Sequence, residues 1–186
     1  MKRVLAVLMI LLTLTGCKGG SDALDRAMGL RDALLKGNGC AFETVITADY
    51  GDKVYSFRMK CRSDSTGVVV FEVMHPETIA GISGTLSNEG GKLTFDDQAL
   101  MFEMLADGQI TPVSAPWLFV NTLRSGYVKT CGKDGDGLYI QIDDSYKEDA
   151  LHLDIFTNEK DMPIRAELLW QGRRIVSMDV ENFTIL

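Results

Sequence analysis

Residues 40–61 read Cys-Ala-Phe-Glu-Thr-Val-Ile-Thr-Ala-Asp-Tyr-Gly-Asp-Lys-Val-Tyr-Ser-Phe-Arg-Met-Lys-Cys. Phe42, Thr44, Ile46 and Ala48 alternate with Glu43, Val45, Thr47 and Asp49. That two-residue period is the mark of a strand with one buried face, and a turn at Tyr50-Gly51 followed by Val54–Met59 makes the pair a β-hairpin. With the turn centred between Tyr50 and Gly51, Glu43 faces Arg58, Ile46 faces Tyr55 and Phe42 faces Met59. The same register sets Cys40 opposite Cys61 and gives a disulfide; the alternative is two reduced thiols packed together. Phe42, Ile46, Tyr55, Phe57 and Met59 then share one apolar face, either an ordinary core or the lining of a hydrophobic cavity.

Strand signals continue outward from this hairpin. Gly67–Met74 is rich in β-branched residues and stops at His75-Pro76. Ile79–Leu86 follows, with Gly81 and Gly84 inside it, then the Asn88–Gly91 turn and Lys92–Phe95. The segment 97–106 reads as a short helix capped by Asp96 or Asp97 and ended by Asp107-Gly108. A second helix over 115–125 opens with Ala115-Pro116-Trp117, proline being tolerated in a first turn. Strands resume at Tyr127–Cys131, Leu138–Ile142, Leu151–Phe156, Ile164–Trp170, Arg173–Val180 and Phe183–Leu186, with a tight turn at Gln171-Gly172. Before the hairpin, Leu24, Ala27, Met28, Arg31, Leu34 and Leu35 fall near a 3.6-residue period, so a helix begins at Ser21 or Asp22 and stops at Gly37-Asn38-Gly39. The expected fold class is α+β: a single curved antiparallel sheet with an N-terminal helix and helical insertions on one face.

The first residues fix where the domain works. Lys2 and Arg3 precede an uncharged apolar run from Val4 to Leu12, and Leu14-Thr15-Gly16-Cys17 follows. This is a secretory signal in charge, length and order, and it is too short for a spanning helix, which needs about 20 apolar residues. Leu-Thr-Gly-Cys resembles the bacterial lipobox. The resemblance implies cleavage before Cys17, a thioether-linked diacylglycerol on its sulfur and an amide-linked acyl chain on its nitrogen. Residues 1–16 are thus read as a signal peptide, 17–20 as the lipidated cysteine and tether, and 21–186 as one domain. Lys18 follows the cysteine, a residue that leaves outer-membrane sorting open in a two-membrane bacterium; in a single-membrane cell the anchor holds the domain outside the cytoplasmic membrane.

Composition narrows the partners. Of 186 residues, 19 are Lys or Arg and 26 are Asp or Glu; residues 1–16 hold two of the basic ones and no acid, so the remainder carries 17 basic against 26 acidic residues, net −9. Nucleic acid, which selects clustered cations, is not an expected partner, and the membrane is held through lipid rather than charge. Catalytic and metal motifs are missing. His75 and His152 lie outside any Ser-His-Asp pattern, there is no Gly-x-Ser-x-Gly elbow or Walker loop, and the cysteines lack CxxC spacing. Asp134-x-Asp136-Gly137 begins like a calcium loop, but its twelfth position is Ser145 rather than Glu, and a hairpin turn accounts for it. No enzyme, cofactor or metal is expected, and Cys131 is left as the odd thiol.

The order of elements resembles the lipoprotein-carrier superfamily of LolA-, LolB-, LppX- and RseB-like proteins, and within it clostridial-type lipoproteins. The resemblance rests on Phe42–Met59, Val68–Pro76, Gly90-Gly91-Lys92-Leu93-Thr94-Phe95 and Gly172-Arg173-Arg174-Ile175. It implies an unclosed half-barrel that binds an acyl chain, lipid or lipidated protein, with the Trp117 helix as a lid and Phe42, Ile46, Tyr55, Phe57 and Met59 lining the hollow. A monomer is expected. The other function this likeness implies is a membrane-tethered module that recognises a signalling partner without bound lipid. A lipocalin-like barrel is the alternative fold, and the two helical segments at 97–106 and 115–125 argue against it.

Overall fold

The central strand pair joins segments at opposite ends of the chain. In the computed structural model, which describes residues 19–96, 98–102, 105–106 and 109–186, Cys40–Asp49 lies antiparallel to Arg173–Ile185. Chain order runs α1 (Gly19–Lys36), β1 (Cys40–Asp49), β2 (Val54–Ser63), β3 (Val69–His75), β4 (Ser83–Ser87), β5 (Gly90–Phe95), β6 (Gln98–Phe102), β7 (Leu105–Ala106) and β8 (Gln109–Ile110). It continues with α2 (Ala115–Ser125), β9 (Tyr127–Asp134), β10 (Gly137–Asp143), β11 (His152–Thr157), β12 (Pro163–Trp170) and β13 (Arg173–Ile185). Eleven strands form one antiparallel sheet in the order β6-β5-β4-β3-β2-β1-β13-β12-β11-β10-β9, and β7 pairs with β8 apart from it. Among the described residues β6 and β9 are its edges, so the sheet is not closed. The first six strands meander outward from β1, α2 carries the chain to the opposite edge, and β9 to β13 meander back. This is the unclosed α+β sheet expected from the sequence. Residues 1–18, with the signal segment, Cys17 and Lys18, lie outside the described residues.

The first hairpin forms where its alternation predicts, but its register is shifted. Phe42 pairs with Cys61, Thr44 with Met59, Ile46 with Phe57 and Ala48 with Tyr55. The connection is the four-residue Tyr50–Lys53, closed by Tyr50 N–H donating to the Lys53 carbonyl at 3.0 Å, with Gly51 at φ 93° and its N–H held by the Asp49 carboxylate at 2.7 Å. The shift is two residues, which keeps every side chain on its expected face. It moves Cys40 from opposite Cys61 to opposite Ser63, whose Oγ accepts from the Cys40 N–H at 3.0 Å and lies 3.3 Å from its Sγ. The expected disulfide is therefore corrected: Cys40 and Cys61 are diagonal neighbours, both buried and unbonded. The Arg58–Glu43 ion pair survives as a diagonal contact of 3.3 Å, and Arg58 also grips Glu181 on β13 with both terminal nitrogens.

Three other expectations change. Residues 98–102 are strand β6 rather than helix. Leu100 and Met101 suit a helix by propensity, but propensity yields to the ladder offered by β5, and Gly91 leaves room for the Phe102 ring across from it. The N-terminal helix begins at Gly19, so Gly19 and Gly20, read as tether, belong to it, and its buried stripe is Ala23, Ala27, Leu30 and Leu34. Leu24, Met28 and Leu35, assigned inward from sequence, flank that stripe and are exposed. Ile79 belongs to a 3-10 turn, and the strand there starts at Ser83.

Strand β13 carries a bulge. Ala41 pairs with Thr184 but Glu43 with Glu181, leaving one extra residue on β13, where Asn182 sits at φ 54°. Val176, Met178 and Val180 point inward before the bulge; after it the parity flips and Phe183 turns in. Phe183 packs on Phe42 at 5.9 Å and on Phe119 of α2 at 6.1 Å, and those two meet edge-on at 5.5 Å. This aromatic cluster ties α2 to the central strands.

The helices lie against the β9–β12 half of the sheet, α1 on β9 and β10 and α2 on β10 to β12. Their C-terminal ends cap each other. Arg31 of α1 donates to the Leu123 carbonyl at 2.8 Å, and Arg124 of α2 donates to the Leu34 carbonyl at 3.3 Å. Those carbonyls belong to last turns, which lack intrahelical donors.

Candidate functional site

Helix cover on one half of the sheet leaves a question on the other: what becomes of the inner face of β3 to β6? One cross-strand row answers it. Phe71 pairs with Gly84, Gly84 with Leu93 and Leu93 with Leu100. All four lie on the core side, since paired residues share a face. Phe71 is 3% exposed, Gly84 is buried, Leu93 is half-buried and Leu100 is 63% exposed. The row thus passes from core to open surface without changing character. Phe95, 54% exposed, and half-buried Phe102 stand on the same face beside Leu93 and Leu100. The result is an apolar shelf continuous with the core and rimmed by the polar ends of the β4–β6 hairpins.

Local sequence explains the shelf. Gly84 has no side chain to separate the sheet from Phe71; a Cβ there would stand 2.7 Å from the ring and 2.3 Å from the Lys92 carbonyl oxygen. Gly91 makes the same allowance for Phe102. On the opposite face the matching row is Val70, Thr85, Lys92 and Met101, mixed in polarity.

The residues expected to line a hollow are divided. Phe42, Ile46, Phe57 and Met59 do come together on the inner face, but all four are buried core residues packed with Phe119 and Met178. Tyr55 stands apart at the hairpin end, exposed and edge-on to Tyr50 at 6.2 Å. Trp117 is half-buried on α2 and lines a cleft with Val68, Thr85 and Ser87 at the ends of β3 and β4, so the structure does not bring it together with the shelf residues. Leu93, Phe95, Leu100 and Phe102 were missed as a group because 97–106 reads as a helix. In the structure Phe95 pairs with Gln98 and Asp96 sits at φ 48°, a left-handed conformation that aspartate tolerates, so β5 and β6 form a hairpin.

Of the two histidines, His75 is exposed at the end of β3. His152 is half-buried with Nδ1 2.5 Å from an Asp143 carboxylate oxygen. Asp134 ends β9, and Asp136 stands in the two-residue β9–β10 hairpin turn beside Gly135 at φ 57°. Among the described residues no helix is long and apolar enough to cross a membrane.

No protein-family model matches the sequence, and no curated protein matches it. Solved structures it resembles include a LolA superfamily protein from Nitrosomonas europaea, at 8% identity and TM-score 0.46, with 91% of this chain and 94% of that chain covered. A putative outer membrane lipoprotein-sorting protein domain from Vibrio parahaemolyticus aligns over 89% of this chain and 92% of its own at 8% identity and TM-score 0.47. The Mycobacterium tuberculosis lipoprotein LppX aligns over 87% and 93% at 11% identity and TM-score 0.41. At such distances these structures describe an arrangement of strands and helices, and function has to be read from this chain's own residues.

Proposed function

We propose that the chain is a lipoprotein, exported by residues 1–16 and held at the extracytoplasmic face of a membrane through acylated Cys17, whose sheet binds a hydrophobic ligand. The ligand is the acyl chain of a lipid or of a lipidated protein. One observation carries this reading: the inner-face row Phe71–Gly84–Leu93–Leu100 continues the core's apolar surface into the open, ending at a leucine that is 63% exposed. An acyl chain laid along that row exchanges exposed apolar area for contact at about 25 cal/mol per Å². Trp117, expected on a lid, lines the separate cleft at the ends of β3 and β4 and is not part of the proposed surface. Phe42, Ile46, Phe57 and Met59 support the shelf from the core beneath it, and Tyr55 is left at the margin.

The test is native mass spectrometry of the full chain, purified in mild detergent and released into volatile buffer, followed by solvent extraction and lipid analysis. A reproducible adduct beyond the covalent anchor, lost on extraction, supports the reading. A protein that stays apo after incubation with phospholipid and fatty acid overturns it.

A second reading has its own observation. Strand β6, Gln-Ala-Leu-Met-Phe, is an uncharged edge with Leu100 and Met101 exposed on its two faces. Such an edge accepts a strand from a partner, as in a tethered signalling module. Hydrogen-exchange protection of 98–102 on addition of a membrane-protein partner, with no lipid bound, would favour it.

A further inference from the structure

A second cleft, apart from the sheet shelf, lies at the opposite edge, where α1 meets β9, β10 and the loop after β10. Its volume is about 520 Å³, within the roughly 300–1,000 Å³ of small-molecule sites. The charged residues that line it are Arg31, Lys129, Lys147 and Asp143. In a chain of net charge −7 this is a local excess of cations. Their pairing is uneven. Asp143 is taken by Lys129 at 3.3 Å and by His152 at 2.5 Å. Among the described residues neither Arg31 nor Lys147 has a carboxylate partner. Arg31 spends its Nε on the Leu123 carbonyl, while its Nη2 is buried with no hydrogen-bond partner. A buried donor left unpaired costs about 1–3 kcal/mol, more when charged, so such a group is informative. The remaining wall is apolar and aromatic: Met28 and Val128, with Tyr127 and Tyr146 ring to ring at 3.7 Å.

We propose that this cleft binds a phosphate monoester, the dianion seated on Arg31 and Lys147 and its organic part against Met28 and the Tyr127–Tyr146 pair. Two cations without counter-charges match a dianion, and a guanidinium suits phosphate oxygens geometrically. The volume exceeds what inorganic phosphate alone needs, and the aromatic wall gives the rest of the ester a surface. The same chemistry is offered by a phosphatidic-acid headgroup and by a soluble ester.

Calorimetric titration of the full chain in uncharged detergent separates the two sources. The probes are glycerol 3-phosphate, dihexanoyl phosphatidic acid below its micellar concentration, and dihexanoyl phosphatidylcholine, a zwitterionic diester. Binding of both monoesters assigns the site to phosphate esters at large; binding of the phosphatidic acid alone assigns it to a lipid headgroup. In either case, measured on the chain carrying Phe95→Ser and Leu100→Ser so that acyl chains no longer bind the shelf, the diester stays silent, and Arg31→Met and Lys147→Gln each weaken the monoester at least about tenfold. Lys147 is exposed, so that variant keeps its fold whatever Arg31→Met does. Leu100→Ser, at the other edge, leaves glycerol 3-phosphate affinity unchanged, which separates this site from the shelf. The proposal is overturned if no monoester binds more tightly than about 1 mM, or if both variants bind as the parent does.

Discussion

Replacing Phe95 and Leu100 together by serine removes the open end of the inner-face shelf. Burying a leucine or phenylalanine side chain completely is worth about 1.5–3 kcal/mol. Leu100 has 63% of its surface still exposed and Phe95 54%, so a ligand that covers them gains about 1–2 kcal/mol from each. The double variant should therefore weaken acyl-chain binding by about 2–3 kcal/mol, or roughly 30- to 150-fold. Folding loses only the part already buried, about 1–2 kcal/mol, against a typical domain stability of 5–15 kcal/mol. The assay is displacement of an environment-sensitive fluorescent fatty acid from the full chain, with thermal unfolding followed in parallel. Val70→Ser with Met101→Ser is the matched control: these are 50% and 67% exposed and lie on the opposite face of the same half of the sheet, on β3 and β6. If the outer-face pair weakens binding as much as the inner-face pair, or the inner-face pair weakens it less than about fivefold, the shelf is not the binding surface.

Three further predictions concern the core and its titrating groups. Thr44 is buried between Phe42 and Ile46 with its Oγ1 unpartnered, so Thr44→Val should stabilise the fold by about 1 kcal/mol, seen as a rise in melting temperature of roughly 2–4 °C. Burial pushes the Cys61 thiol up, with neighbouring Cys40 adding to the effect, and burial raises Cys40 as well. Timed alkylation in native buffer should label half-buried Cys131 first and reach Cys40 and Cys61 only on unfolding, which rapid labelling of all three would contradict. Tyr139 is held up to about 12, from an ordinary 10, by burial and by the Asp154 carboxylate. Because the raised group keeps its proton longer when folded, its contribution is complete below pH 10 and is lost as pH rises from 10 towards 12. Denaturant melts across that window should lose stability less steeply in Tyr139→Phe.

The local parts of this fold were legible in the sequence. Alternation from Phe42 to Met59 assigned both strands and the correct inward face, and Ala115-Pro116-Trp117 marked the start of α2. The register was not legible because it depends on loop geometry: a four-residue connection moves the pairing by two without disturbing the alternation. The inward face of α1 was misphased because Leu24, Met28 and Leu35 form a second apolar stripe beside Ala23, Ala27, Leu30 and Leu34. Pairing of β1 with β13 leaves no local trace, and neither does the bulge at Asn182 that turns Phe183 into the core. The shelf was hidden for a related reason. Leu100, Met101 and Phe102 carry no alternation of polarity, since one face is open shelf and the other is open outer surface, so burial never imprinted a strand period on them. Arg31 was visible as a lone cation on an apolar stripe, but its bond to the Leu123 carbonyl of α2 and its buried, unpartnered nitrogen belong to the folded chain.

The most direct test of the central claim is photo-crosslinking with a fatty acid that carries a diazirine on its chain, followed by peptide mapping of the adducts on the full chain. Binding on the sheet's open inner face predicts adducts concentrated on Leu93, Phe95, Leu100 and Phe102, all competed by unlabelled fatty acid. Adducts scattered over the exposed apolar residues of both faces, with Val70 and Met101 labelled as strongly as Leu100 and no competition, would contradict it.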